Sequence, residues 1–106
     1  MRNMKQVDCV VDEIIRRFRF RGHSCVEGYN KFGYVRDAGR SVVVSRETGK
    51  NTVIPFKKLC MAVEAMRIDH NLYHMGPTGL RKYGITHINS PVWSLLHLLT
   101  IEELIN

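Results

Sequence analysis

The side chains of this chain that are best suited to chemistry are lysines placed where an anion could dock. Lys57 and Lys58 stand in the first turn of a helix predicted to begin at Phe56. A helix N-terminus carries roughly half a positive charge, and a lysine there costs a few tenths of a kcal/mol. Helix stability therefore gives no reason for a pair of lysines at this position. The pair indicates a bound anion, and phosphate is the usual anion at a helix start.

A predicted hairpin tip, Arg46-Glu47-Thr48-Gly49-Lys50, comes shortly before that helix. If its two strands rise from the same end as the helix start, Arg46 and Lys50 would lie near the lysine pair. We expect such a surface to contact backbone phosphates.

A second basic cluster holds Arg16, Arg17 and Arg19, with Phe18 and Phe20 between the arginines. Arginines interleaved with aromatic residues are typical of nucleic-acid-binding patches. Arginines in the last turn of a helix also complement its dipole without any ligand, and Phe18 falls in an apolar stripe. Both interpretations stay open for this cluster.

The histidines offer weaker chemistry. His70 and His74 are four residues apart, and Cys60 could add a third ligand, but structural zinc requires four ligands at recognisable spacing. We expect neither a metal nor another cofactor. His87 could act as a general base beside Thr86 or Ser90, which would require these groups to converge.

Charge is distributed unevenly along the 106 residues. The chain has 16 Lys plus Arg against 10 Asp plus Glu, a net charge of +6. Residues 1–58 hold 13 basic and 6 acidic side chains, whereas residues 59–106 hold 3 and 4. Such asymmetry indicates nucleic acid or an acidic protein as the partner.

The three cysteines, Cys9, Cys25 and Cys60, form no CxxC motif, so we expect reduced thiols. No stretch approaches the roughly 20 apolar residues that span a bilayer, and the N-terminus lacks the apolar run of a signal peptide. The sequence predicts a single domain over residues 1–106, located in the cytoplasm and without membrane contact.

Periodicity predicts an α+β fold with an N-terminal helix, an antiparallel meander of three or four strands and a helical C-terminal third. The meander follows from Gly-containing turns too short for parallel crossovers. Between residues 70 and 89 we expect a long loop that either holds a short helical turn around Leu80–Tyr83 or has a function. The predicted helices are Asn3–Arg21, Phe56–Met66, Pro91–Leu99 with Ser90 as N-cap, and Ile101–Ile105; the predicted strands are Ser24–Tyr29, Gly33–Arg36, Ser41–Arg46 and Asn51–Ile54.

The predicted order of one helix, a meander and a second helix that opens with Lys57 and Lys58 resembles the layout of double-stranded RNA-binding domains. That resemblance implies lysines at the helix start gripping duplex phosphates. A winged-helix arrangement with the hairpin as wing fits the same order equally well.

The segment from Pro91 to Leu99 is apolar around nearly its whole circumference. A helix of this kind is either central in the core or part of an interface. We expect one part in the core and the rest at a homodimer or partner interface, with Trp93, Leu95, Leu96 and Leu99 as the interface residues.

The residues thus predict a small non-enzymatic nucleic-acid-binding module that contacts phosphates through Arg46, Lys50, Lys57, Lys58 and the arginine cluster. An alternative is a phage- or plasmid-type inhibitor or adaptor that binds an acidic protein. A metal-dependent or histidine-based nuclease is a minor alternative.

Overall fold

The computed structural model describes residues 4–106, which form the predicted compact α+β domain. Two 3₁₀ segments, His70–Tyr73 and Pro77–Tyr83, connect the central helix to the C-terminal helices. In chain order the other elements are α1 (Val7–Arg21), β1 (His23–Ser24), β2 (Phe32–Asp37), β3 (Ser41–Arg46), β4 (Thr52–Pro55), α2 (Phe56–Ile68), α3 (Asn89–Leu96) and α4 (Ile101–Ile105).

Helix α1 follows the predicted apolar stripe. The predicted start at Asn3 lies outside the described residues, and residues 4–6 precede the helix without joining it. Gly22 ends α1 in a left-handed conformation, φ 80°, and its N–H donates to the Phe18 carbonyl oxygen. The helix buries Val10, Val11, Ile14, Ile15 and Phe18.

The meander is confirmed as a four-stranded antiparallel sheet in the order β1-β2-β3-β4. Strand β3 is central, and Val42, Val43 and Val44 are all buried. The predicted first strand, Ser24–Tyr29, is wrong over most of its length. Only His23 and Ser24 pair with β2, and the chain then turns at Gly28, where φ is 89°.

Helix α2 begins at Phe56, as predicted, and continues to Ile68. It packs against α1, α3 and both 3₁₀ segments, which makes it the centre of the helical layer. The predicted turn at Leu80–Tyr83 is the second half of the segment Pro77–Tyr83, which ends at Gly84 in a left-handed conformation.

The C-terminal helices differ from the prediction at their ends. Helix α3 begins at Asn89, so Ser90 is not the N-cap, and Ile88 at that position provides no side-chain cap. It ends at Leu96, where the N–H groups of the next three residues bond to carbonyl oxygens three residues back. The capping box of α4, Thr100 with Glu103, is confirmed.

The four predicted interface residues on and beside α3 need a correction. Trp93 is 3% exposed, and its indole N–H donates to the Leu72 carbonyl oxygen at 2.9 Å. Leu95, Leu96 and Leu99 are equally buried, because the two 3₁₀ segments cover the side of α3 that α2 leaves open. These residues are core, and they offer no free surface to a second copy.

Among residues 4–106, no helix has the length and apolar character needed to cross a membrane.

Candidate functional site

A large depression lies where the end of β3 meets the loop that leads into α3. It is an open cleft of about 570 Å³. We call it the arginine cleft. It is lined by Asn30, Phe32, Arg46, Thr48, Arg81, Thr86, His87, Asn89 and Ser90.

Arg46, the last residue of β3, forms one wall of the cleft. Its guanidinium lies 5.9 Å from the centre of the Phe32 ring, and its Nη2 donates a long hydrogen bond, 3.4 Å, to the His87 carbonyl oxygen. Its Nε is buried and has no hydrogen-bond acceptor among the described residues. The end of β3, the Phe32 ring and the contact to His87 together place the Arg46 guanidinium at the wall of the cleft.

Arg81 brings a second guanidinium to the cleft from the 3₁₀ segment Pro77–Tyr83. This segment is tied to the start of α3, because the side-chain amide of buried Asn89 donates to the Pro77 carbonyl oxygen at 3.1 Å. The element that carries Arg81 and the helix that closes the cleft therefore hold each other in place.

The third positive contribution comes from α3 itself. The backbone N–H groups of Asn89 and Ser90 lie in its first turn, no side chain caps them, and both residues line the cleft, whereas Pro91 has no N–H. The partial positive charge of a helix start thus faces the same space as the two arginines.

No Asp or Glu stands among the residues that line the arginine cleft. Glu47 lies between Arg46 and Thr48 in sequence, but its carboxylate accepts a hydrogen bond from the Lys31 backbone N–H at 2.6 Å. Two guanidinium groups and a helix start therefore face the cleft without a carboxylate in its wall. That arrangement can bind an anion.

His87 stands in the same cleft with Thr86 and Ser90, as a general base would require. Its backbone is in the left-handed region, φ 63°, which is uncommon outside glycine. The lining offers no carboxylate to orient the imidazole, a component of the usual nucleophile-activating arrangement.

The predicted convergence of Lys57 and Lys58 with the hairpin tip is wrong. Ser41 pairs with Pro55 and Val44 with Thr52, so α2 begins at the opposite end of β4 from the hairpin. The distance along β3 from Ser41 to Arg46 is roughly 16 Å at about 3.3 Å per residue. Lys50 stays at the exposed hairpin tip, near Thr48.

Both lysines have other surroundings. The Lys58 ammonium donates to the Gly84 carbonyl oxygen at 3.0 Å and so holds the loop that leads into α3. Lys57 lines a second depression together with the carboxylates Asp8 and Asp12 of α1. Lys57 therefore lies near carboxylates of the same chain and outside the arginine cleft.

Cys60 lies in that second depression and donates to Asp8 at 3.5 Å. Burial, followed by this hydrogen bond, raises the pKa of the Cys60 thiol to about 11. The thiol is protonated at neutral pH, so it is a poor nucleophile and a poor metal ligand. Within residues 4–106 no group of three or more His, Cys, Asp or Glu side chains is arranged to hold a metal ion. His70 and His74 therefore belong to no such group.

The arginine cluster of α1 is engaged in ion pairs within the chain. Arg16 pairs with Glu13, and Arg19 pairs with Asp37 at 2.9 Å. Arg17 bonds to Glu13, to Glu103 and to the Leu98 carbonyl oxygen. These pairs give the three arginines structural partners, and all three lie outside the arginine cleft.

Sequence reasoning found Arg46 and noted His87, Thr86 and Ser90, but it missed Arg81 and Asn89. The signal available for Arg81 was its place in a loop of about 20 residues, a length that is uncommon unless the loop has a function. Nothing in the sequence pattern shows that this loop returns to the end of β3.

Comparison of the chain with family models, with curated proteins and with solved structures finds no match. The fold and the cleft define the class as a small α+β domain with a cationic cleft.

Proposed function

We propose that this protein is a non-enzymatic nucleic-acid-binding module whose arginine cleft holds a backbone phosphate. The observation that carries the proposal is that Arg46, Arg81 and the start of α3 line one cleft that has no Asp or Glu among its lining residues. Phosphate oxygens accept hydrogen bonds from such groups, and arginine binds phosphate through two N–H groups at once.

The surroundings of the cleft suit a chain of phosphates better than a single free anion. The cleft is open, and the exposed hairpin tip with Lys50 stands beside it. A polymer could place one phosphate between Arg46 and Arg81 and a neighbouring phosphate near Lys50. Electrostatic attraction by a chain of net charge +6 would assist the approach.

The proposal replaces part of the predicted contact set. Arg46 and Lys50 are kept, and Arg81 is added. Lys57, Lys58, Arg16, Arg17 and Arg19 lie elsewhere and are given no role in this cleft. We also propose a reducing, cytoplasmic setting, because Cys9 and Cys25 are exposed free thiols.

The test is fluorescence anisotropy of labelled DNA and RNA oligonucleotides with the wild type and with Arg46→Gln and Arg81→Gln. A charge-assisted hydrogen bond contributes about 1.5–3 kcal/mol, so each variant should weaken binding roughly tenfold or more. Arg16→Gln and Lys57→Gln remove the same charge away from the cleft, and they should change affinity less than about threefold by this mechanism.

Other outcomes would change the conclusion. Equal losses in cleft and control variants would mean that net charge, and not the cleft, binds the polymer. Binding of polyglutamate in place of nucleic acid, lost in Arg46→Gln, would favour the adaptor for an acidic protein. Cleavage of the oligonucleotide, abolished by His87→Ala, would favour the nuclease.

A further inference from the structure

A further depression, separate from the one beside Lys57, adjoins the arginine cleft and has three aromatic residues in its lining. It has a volume of about 170 Å³. It shares three of its lining residues, Asn30, Phe32 and Ser90, with the arginine cleft, so the two form one continuous surface. We call it the aromatic pocket. Its remaining lining residues are Gly28, Tyr29, Pro77 and Trp93.

Tyr29 is the exposed aromatic ring of this pocket. It is 47% exposed, although its ring lies 4.8 Å from the buried ring of Trp93, with the two planes at 60°. The other two aromatic side chains of the pocket, Trp93 and Phe32, are each 3% exposed. Tyr29 therefore has support on one side and presents the rest of its surface to solvent.

The position of Tyr29 is determined by its neighbours. Gly28 turns the chain with φ 89°, and the Tyr29 N–H donates to the Val26 carbonyl oxygen. A Cβ at Gly76 would come within 2.9 Å of the Tyr29 hydroxyl oxygen, so the absence of a side chain there gives the hydroxyl its space. Trp93 behind it is held by the hydrogen bond to Leu72.

We infer that the aromatic pocket receives one unpaired nucleobase of a single strand whose phosphate lies in the arginine cleft. This inference rests on the proposed function. The size supports it, since a cavity of about 150 Å³ accepts a benzene ring. The chemistry supports it as well, because aromatic side chains beside a cationic groove are how proteins hold single strands without reading their sequence.

A pocket for an unpaired base distinguishes single strands from duplexes. In a duplex the bases are stacked and paired, and their faces are not available to a side chain, whereas a single strand can turn a base outward onto an aromatic ring. The site should therefore prefer single strands to duplexes. The resemblance in layout to double-stranded RNA-binding domains implied the reverse.

The experiment compares three probes of equal length in anisotropy titrations: a single strand, its duplex, and a single strand in which abasic sites replace the bases. Wild-type protein should bind the single strand at least fivefold more tightly than the abasic strand, the lower end of what one base stack contributes. Tyr29→Leu should lose this difference, while Tyr29→Phe keeps the ring and should retain it.

The outcomes separate this inference from the proposed function. If the abasic strand and the normal strand bind wild type equally, and Arg46→Gln weakens both, the phosphate site stands and the base pocket is wrong. If Arg46→Gln has no effect on any probe, the proposed function itself fails. A wild type that prefers the duplex would also overturn the inference. Thermal melting of Tyr29→Leu checks that the variant is folded.

Discussion

At the scale of single residues, the candidate site depends on the difference between arginine and lysine. Arg46 presents a rigid fork of N–H groups at the end of a strand, with Phe32 beside it and one buried N–H lacking an acceptor. A lysine there would keep the charge but not the fork, and two-point recognition of phosphate would be lost. Of the two lysines at the start of α2, Lys58 donates to a backbone carbonyl oxygen and Lys57 lies near carboxylates of α1.

His97 is the other residue whose environment has a consequence that can be measured. Its ring stacks on Tyr73 with the ring centres 3.9 Å apart, and its two nitrogens lie 2.8 and 2.9 Å from the carbonyl oxygens of Trp93 and Tyr73. Burial and, to a smaller extent, the nearby His74 lower the pKa of His97, whereas the two carbonyl contacts raise it. In this case burial has the larger effect.

We expect His97 to make the protein less stable in mild acid. Because its pKa is lower in the folded chain, the unfolded chain binds the proton first as pH falls below about 6.5. The stabilising contribution is complete above that pH and decreases toward pH 5. Denaturant unfolding at pH 7.5 and pH 5 should give a smaller free energy of unfolding at pH 5.

The variants His97→Gln and His70→Gln separate this effect from others. The first should reduce the change between the two pH values, and the second, at an exposed position, should leave it as in wild type. The pKa of Glu103 is lowered to about 2, chiefly by Arg17, so its own contribution is lost only below its ordinary range and outside this window. A free energy of unfolding that rises on acidification would contradict the assignment.

At the scale of elements, the C-terminal helices are held by polar contacts to α1. Helix α4 has five residues, too few to be stable alone. Its capping box shares Glu103 with Arg17 of α1, and Arg17 also donates to the Leu98 carbonyl oxygen between α3 and α4. The arginine that looked like part of a binding patch thus joins the two ends of the fold.

We predict that Arg17→Ala lowers the free energy of unfolding by about 1–2 kcal/mol, because it removes several hydrogen bonds to charged or carbonyl acceptors in a half-exposed setting. Arg16→Ala, one residue away, removes only an exposed pair with Glu13 and should have no measurable effect. Chemical denaturation of both variants checks this. Equal effects would show that Arg17 is only another surface charge.

At the scale of the whole molecule, we expect binding at the arginine cleft to involve only a few contacts between cationic side chains and phosphates. Binding of a single strand releases counterions, and the logarithm of the association constant falls with the logarithm of salt by about 0.7 per phosphate contacted. The phosphate between Arg46 and Arg81 and the neighbouring phosphate near Lys50 together predict a slope near −1.4, about twice that value.

Salt titrations of the wild type and of Lys50→Gln test this expectation. Loss of the phosphate contact at Lys50 should reduce the magnitude of the slope by about 0.7. Arg16→Gln carries the same net charge as Lys50→Gln and should keep the wild-type slope. A slope several times steeper than expected would indicate a wide charged surface in place of a cleft.

The homodimer stays a prediction, but it can no longer depend on the buried Trp93 and its neighbouring leucines.

Much of the architecture could be predicted because it is specified locally. The stripe on α1, the turns between β2, β3 and β4, and the capping box of Thr100 and Glu103 are patterns whose physical cause lies within a few residues. Predictions failed where distant contacts decide the outcome. Residues 25–29 have strand propensity but no partner beyond Ser24, and α3 begins at Asn89 because Asn89 is tied to Pro77.

The sequence by itself determined that this protein is a basic α+β domain with Arg46 at the end of a central strand. Only the tertiary structure decided which cations act together. The antiparallel register separates the hairpin tip from Lys57 and Lys58, and the return of the loop before α3 brings Arg81 to Arg46 across 35 positions of sequence. Such neighbours arise from packing between distant segments, and no periodicity in the chain encodes them.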